Sequence, residues 1–222
     1  MGYVRIGVNS DGTYKYKIHN TAVVETTDIG DGTTIGPFTY ISKRVVIGND
    51  CNIFGASIGL PGEHPHSVED NLGNVIIGNN VEIREFVTIN APLFGEKTVV
   101  GDNSYLMAKS HVGHDATLGN NVILHTGAII GGHSIIGNFC YMGLNSSTHP
   151  KAVLTDFCIV GASSFFKGKS VEAVTWAGVP AKPIKVNKVG IERHAKESGL
   201  SDFELNNLLK TAEVFVACGG IK

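Results

Sequence analysis

Between Ser110 and Ala116 the chain reads Ser-His-Val-Gly-His-Asp-Ala, which sets two imidazoles, His111 and His114, and the Asp115 carboxylate within five residues. Of the histidines that follow, His133 and His149 share the register of this run. A neutral imidazole can take the proton of a hydroxyl or amine as that group attacks a thioester, and such a base contributes roughly 10²–10⁴-fold in rate. A carboxylate beside it fixes the tautomer of the ring and stabilises the imidazolium. His114 with Asp115 has the composition of that pair, and a glycine-rich corner could offer a backbone N–H to an oxyanion. Histidine clusters also bind zinc through neutral imidazoles, so a metal centre competes with acid–base chemistry at this point.

What must position these residues is a beat of six. From Val100 in steps of six stand Val100, Leu106, Val112, Leu118, Leu124, Ile130, Ile136, Met142, Thr148, Leu154, Val160 and Phe166, with Thr148 the exception to an apolar rule. Four places after each comes a small residue, among them Ser104, Ser110, Ala116, Ala128, Ser134, Cys140 and Cys158, and glycine recurs one place after. The same register runs earlier through Val23, Ile29, Ile35, Ile41, Ile47 and Ile53, and through Ile77, Ile83 and Ile89. Neither a helix nor a simple alternating strand has this period, so it is a structural repeat. One unit makes one short strand and one corner, in which the glycine is expected to supply the unusual dihedrals. Three units close a triangular coil of eighteen residues, and coils stack as parallel strands about 4.8 Å apart. Twenty-one units give an all-β solenoid of about seven coils. On that register Ser110, Val112 and Ala116 point inward, and His111, His114 and Asp115 point outward or sit on a corner. A residue eighteen places on lies on the next coil, so Asp115 falls beneath His133, and His149 tops the column of Gly113 and Gly131.

The beat breaks twice, at residues 59–74 and 91–97, and loops ejected from a rigid solenoid commonly line a binding face. The expected organisation is an N-terminal extension over 1–17, the repeat over 18–178 and a C-terminal helical segment over 179–222. The latter holds one helix near 188–198, stopped by Gly199, and a second opened by the capping box Ser201-Asp-Phe-Glu204, with Phe203, Leu205, Leu208, Leu209 and Ala212 at helical spacing. A net charge of −2 gives no bias toward nucleic acid, and there is no apolar run long enough for an integral membrane segment. A cytoplasmic location is the default. Cys51, Cys140 and Cys158 fall on the small interior position and read as buried thiols rather than disulfide or metal ligands. Five basic residues between Lys182 and Lys196 face one acid, Glu192, and would attract phosphates if they are more than a solvated surface.

The run Asn80-Val-Glu-Ile-Arg-Glu-Phe-Val-Thr-Ile-Asn90, the His-Val-Gly-His-Asp run, Gly131-Gly-His133 and Val186-Asn-Lys-Val-Gly-Ile-Glu-Arg193 resemble the UDP-N-acetylglucosamine O-acyltransferases of lipid A biosynthesis. The resemblance implies a left-handed parallel β-helix; the hand does not follow from the period. It implies His114 as general base with Asp115 as partner, and His111, His133, His149, Asn187 and Arg193 as substrate-binding residues, with no metal. It also implies no bound cofactor, an acyl carrier protein phosphopantetheine or coenzyme A thioester as co-substrate, a nucleotide sugar acceptor, and a homotrimer with sites between subunits. Two segments depart from the family. Its Gln-Asp-Leu-Lys-Tyr stretch is replaced by Pro61-Gly-Glu-His-Pro-His66, and its paired arginines by Arg193-His194. Ala177-Gly-Val-Pro-Ala-Lys-Pro-Ile is in turn a phrase of coenzyme A-dependent hexapeptide acetyltransferases, which keeps open N-acylation of an amino-deoxysugar nucleotide. A zinc hydratase or an inert scaffold on the same prism is the third reading. The hydratases of this fold carry two histidines separated by four residues, whereas His111 and His114 are separated by two.

Overall fold

The computed structural model describes residues 2–65 and 73–219. Its parallel strands form three walls of a prism. Wall one belongs to an 11-stranded sheet that includes Thr34–Ile35, Asn52–Ile53, Glu82–Ile83, Tyr105–Leu106, Ile123–Leu124, Tyr141–Met142, Ile159–Val160 and Val174–Gly178. Wall two is an 8-stranded sheet that includes Thr88–Asn90, His111–Val112, Ile129–Ile130 and Phe165–Phe166, and wall three a 6-stranded sheet that includes Lys97–Val100, Thr117–Leu118 and Ile135–Ile136. The register is eighteen residues per coil through the long block, as in Val112 opposite Ile130 and Leu118 opposite Ile136. The second residue of each two-residue strand in this block is buried: Leu106, Val112, Leu118, Leu124, Ile130, Ile136, Met142, Leu154, Val160 and Phe166 form one apolar column, joined by the small residues Ser104, Ser110, Ala116, Ala128, Ser134 and Cys140.

The coil count holds, and two other expectations need correction. The prism has about seven coils, as the count implies: wall three has six strands and the Ile29–Ile47 bridge, while Ile58, only five residues after Ile53, and Trp176 add one strand each to walls two and one. In the first strand of wall two the inward residue is Val24 rather than Val23: Val23 is exposed, and Val24 pairs with buried Ile41. Most instructive are the glycines. The residues with left-handed backbone are not the recurrent glycines but those two places further on, such as Asn103, Lys109, Asp115, Asn121, His133, Asn145 and Lys151, with φ between 53° and 65°. None of these is β-branched, as sterics require. The recurrent glycines are needed for close coil-to-coil approach: a Cβ at Gly131 would stand 2.7 Å from the Pro150 nitrogen, and one at Gly113 2.8 Å from that of Gly132.

The corner from wall three to wall one is held by a polar ladder. The side-chain oxygen of Asn49 accepts from the Asp31 amide, Asn79 from Asn49, Asp102 from Asn79, Asn120 from Asp102, Asn138 from Asn120 and Asp156 from Asn138, at 2.7–2.9 Å. Each rung satisfies an amide that an outward corner would otherwise leave to water. At one end of the prism a hairpin, Tyr3–Val8 and Tyr14–His19, joins wall one through Lys17 opposite Thr34. At the other end Ala181–Val186 returns antiparallel on Val174–Gly178, and α1 (Lys188–His194) and α2 (Asp202–Ala217) follow. α2 has the capping box read from the sequence, but Phe203 is exposed, so that helix packs through Ala212, Leu205, Leu208 and Leu209. α1 is shorter than expected and stops at His194, ahead of Gly199 with φ +70°. Among the described residues no helix is long and apolar enough to cross a membrane.

Candidate active site

The corner from wall two to wall three carries Gly113-His114-Asp115 on one coil and Gly131-Gly132-His133 on the next. Asp115 and His133 occupy the same left-handed position, which lifts both side chains clear of the core while His133 N–H bonds the His114 carbonyl at 2.9 Å. Asp115 Oδ2 lies 2.7 Å from His114 Nδ1 and 3.8 Å from His133 Nε2. The imidazoles of His114 and His133 meet edge to face with centroids 5.1 Å apart.

Outward did not mean exposed for Asp115, whose side chain is 4% accessible. It is covered by residues 91–96, the second break in the repeat. Three successive amides of that loop, Leu93, Phe94 and Gly95, donate to its two oxygens. Burial pushes the Asp115 carboxyl up, but the bonds from His114, Leu93, Gly95 and Phe94 outweigh it and hold the group below the usual carboxylate range. Asp115 is therefore an anion at neutral pH that orients His114 and pins the loop at once.

The His114 ring rests between glycines. A Cβ at Gly132 would stand 2.8 Å from His114 Nε2, and one at Gly62 2.9 Å from His114 Cβ. Around it stand Phe94 at 6.0 Å, His133 at 5.1 Å and His64 at 6.3 Å between ring centroids. Sequence reasoning did not assign Phe94 or His64 a role; the available signal was that both lie in breaks of the repeat. Of the first break, residues 66–72, His66 included, lie outside the described residues.

The remaining expected residues divide. His111 sits on the outer face of wall two, with Nδ1 2.7 Å from Thr88 Oγ1; burial lowers its pKa, Glu63 opposes that and His114 adds to it. His149 stands above Gly131, but its ring turns to Phe165, 6.1 Å away, and Nδ1 approaches the Pro150 carbonyl. Asn187 is buried: its amide donates to the Phe157 carbonyl and its oxygen caps α1 through Gly190 N–H. Arg193 lines a groove of about 360 Å³ with Tyr141, Ile159, Lys185, Lys188 and Val189 on wall one. That wall faces away from the histidine corner across the prism, so within one chain Asn187 and Arg193 do not meet His114.

His114, Asp115 and His133 also form a group whose ligand atoms lie within 4.8 Å of one another, close enough to hold a cation. Asp115 Oδ2, the oxygen nearest both rings, already faces His114 Nδ1 and the Leu93 amide.

Residues 97–132, which hold His111, His114, Asp115 and Gly132, match the bacterial transferase hexapeptide (six repeats) family. The acyl-[acyl-carrier-protein]–UDP-N-acetylglucosamine O-acyltransferase of Campylobacter lari is 38% identical over 125 residues, covering 46% of this chain and 47% of that protein. Over that span the chain is similar to the UDP-N-acetylglucosamine O-acyltransferases. It spans about half the length of the curated relatives it matches, and the one from Rhizobium johnstonii is 35% identical over 127 residues, 45% and 44% of the two chains. The solved UDP-N-acetylglucosamine acyltransferase of Campylobacter jejuni superposes with a TM-score of 0.65 at 28% identity, over 87% of this chain and 82% of that one. LpxA of Acinetobacter baumannii superposes with a TM-score of 0.74, over 87% and 81%; at 24% identity it speaks for the fold alone. The fold is thus the left-handed parallel β-helix that the sequence resemblance implied, with a short helical segment at its C-terminal end.

Proposed function

We propose that this chain is an acyltransferase. It moves an acyl group from a thioester, on the phosphopantetheine of an acyl carrier protein or on coenzyme A, to a hydroxyl of a nucleotide-linked amino sugar such as UDP-N-acetylglucosamine, as in lipid A biosynthesis. The observation that carries the reading is the 2.7 Å contact between a buried, anionic Asp115 and His114 Nδ1. A carboxylate there keeps the ring proton on Nδ1 and leaves Nε2 free to accept. The acceptor hydroxyl attacks the thioester carbonyl as its proton passes to Nε2. The tetrahedral oxyanion then collapses, and the departing thiolate takes the proton back from the imidazolium, giving an ester and a free thiol with no covalent acyl-enzyme. Gly132 N–H, which has no hydrogen-bond partner among the described residues, is the donor at hand for the oxyanion. No cofactor is required by this scheme, and no metal.

His133 completes the corner beside the base, and His111 and His149 flank it on the outer face and the next coil. Arg193, with Lys185 and Lys188, offers positive charge suited to a diphosphate or a carrier protein, and Asn187 holds the helix that presents it. Because that groove and the histidine corner lie on different sides of the prism, one nucleotide sugar reaches both only across a subunit interface. This favours a homotrimer, with each site shared by two copies. Substrates of this kind belong in the cytoplasm, and neither nucleic acid nor a membrane enters the scheme. The division at 17/18 and 178/179 into extension, repeat and helical segment belongs to the same reading.

The test is transfer itself. Acetyl-coenzyme A and 3-hydroxyacyl carrier proteins are offered with UDP-N-acetylglucosamine and with amino-deoxysugar nucleotides, and products are read by thiol release and mass spectrometry. An alkali-labile ester on UDP-N-acetylglucosamine is the expected product; an amide formed only with amino sugars would move the reading to N-acylation. The His114, Asp115 and His133 group favours one rival, a zinc hydratase, and zinc near one equivalent per chain in the pure protein would replace the acyltransferase reading with it.

A further inference from the structure

We infer that Phe94 is the platform on which the sugar ring of the acceptor stacks, so that this one side chain sets which acceptors the chain takes. The inference rests on the acyltransferase reading above and adds the residue that positions the acceptor. Phe94 lies in the 91–96 loop and is 66% exposed, and yet its backbone is pinned. The amides of Leu93, Phe94 and Gly95 are all bound by Asp115, the same carboxylate that orients His114. Its ring stacks on His133 at 5.7 Å with 29° between the planes, lies 6.0 Å from His114, and stands perpendicular to His64 at 5.5 Å. A large apolar side chain on a backbone pinned in this way, and left this exposed, gains little for the fold from its position; beside a proton acceptor it gains a partner.

The chemistry of that partner follows from the geometry. A hydroxyl to be acylated has to come within about 2.6–3.2 Å of the free nitrogen of His114. His114 Nδ1 is engaged by Asp115, so the hydroxyl lies at Nε2, with the body of the acceptor among Phe94, His64 and His133. A pyranose offers an apolar C–H face with hydroxyls at its rim. C–H groups carry the positive edge that the negative face of an aromatic ring attracts, while the imidazoles can serve the rim. Both breaks in the repeat contribute: residue 62 packs on His114, residue 64 meets Phe94, and the second loop supplies Phe94 itself. The base is carried by the repeat and acceptor choice by the two loops.

The experiment uses the full chain and measures KM for UDP-N-acetylglucosamine and for the thioester donor separately, in wild type, Phe94→Ala, Phe94→Leu and Phe94→Trp. Inhibition by UDP alone is measured in parallel. Phe94→Ala is expected to raise the acceptor KM about tenfold, the scale of one aromatic contact, with the donor KM and UDP inhibition unchanged. Trp, which keeps a ring face, is expected to retain affinity, and Leu is not. An unchanged acceptor KM, or rescue by Leu, overturns the inference. So does a parallel loss of UDP inhibition, which would put the nucleotide base on Phe94, or a shift confined to the donor, which would put the thioester arm there. A wild-type chain that neither binds nor acylates a nucleotide sugar overturns the function and this inference together; an active wild type with an unaffected Phe94→Ala overturns this inference alone.

Discussion

Replacing Asp115 by Asn removes one charge and leaves the shape, so its effect can be worked out bond by bond. The carboxylate accepts from Phe94 and Gly95 at Oδ1, and from Leu93 and Phe94 at Oδ2, which also faces His114 Nδ1. The amide keeps one oxygen. With that oxygen toward Gly95 and Phe94, the NH₂ meets the Leu93 N–H donor to donor and donates to His114 Nδ1. One charge-assisted bond is lost, a cost of about 1.5–3 kcal/mol, which speeds exchange of the 93–95 amides by roughly tenfold to a hundredfold. Donation to Nδ1 also moves the imidazole proton to Nε2, the nitrogen that has to accept, so the contribution of the base, about 10²–10⁴-fold in kcat, goes with it. Two assays read the two effects: single-turnover transfer, and hydrogen exchange of peptides spanning 91–96. The pH dependence has a definite sign. A carboxyl whose folded pKa lies below its unfolded value stabilises the fold at every pH above the unfolded value, and loses that as pH falls through the folded one. Wild-type loop protection is thus expected to persist at neutral and mildly acidic pH and to fail only below about 3.9, with no such acid step in Asp115→Asn. An Asn variant within about threefold of wild type in transfer, with unaltered exchange at 93–95, would refute the dual role.

Other consequences are independent of that carboxylate. Gly132→Ala would set a Cβ 2.8 Å from His114 Nε2 and displace the ring, so kcat is expected to fall on the order of 10²-fold with the fold intact by circular dichroism. Asn138→Ala takes the acceptor from the Asn120 amide and a partner from Asp156, and is expected to cost about 1 kcal/mol, or a Tm lower by ~2–4 °C. Cys51, Cys140 and Cys158 are buried, and burial raises the pKa of each thiol, whereas Cys218 is exposed. A disulfide reagent is therefore expected to titrate one thiol per chain quickly in the native state and all four in denaturant.

The prism could be read from the sequence because its rule is local. A large apolar residue every six positions has to point inward in each coil, and Val112, Leu118, Leu124 and Ile130 do. The stacking of Asp115 under His133 follows from the same arithmetic. What escaped was whatever the period does not carry. A five-residue step such as Ile53 to Ile58 is invisible to a six-residue count, and so the Ile58 strand of wall two lies outside it. The recurrent glycines looked like turn formers, yet close stacking of backbones is what excludes a side chain at Gly131, and the turn dihedral falls on residues such as Asn121 and Lys151. The burial of Asp115 depends on residues 91–96, which have no repeat to define them. Asn187 reads in sequence as a ligand contact, while its side chain is engaged in capping α1 and in holding the Phe157 carbonyl.

The central claim is that His114, held by Asp115, takes the proton of an attacking hydroxyl. The most direct test is the single-turnover rate of acyl transfer to UDP-N-acetylglucosamine by His114→Ala against wild type, both saturated with donor and acceptor. The account expects a loss of roughly 10²-fold or more with substrate affinities little altered. A His114→Ala rate within about threefold of wild type would mean that the proton leaves by another route and that the corner serves some other chemistry.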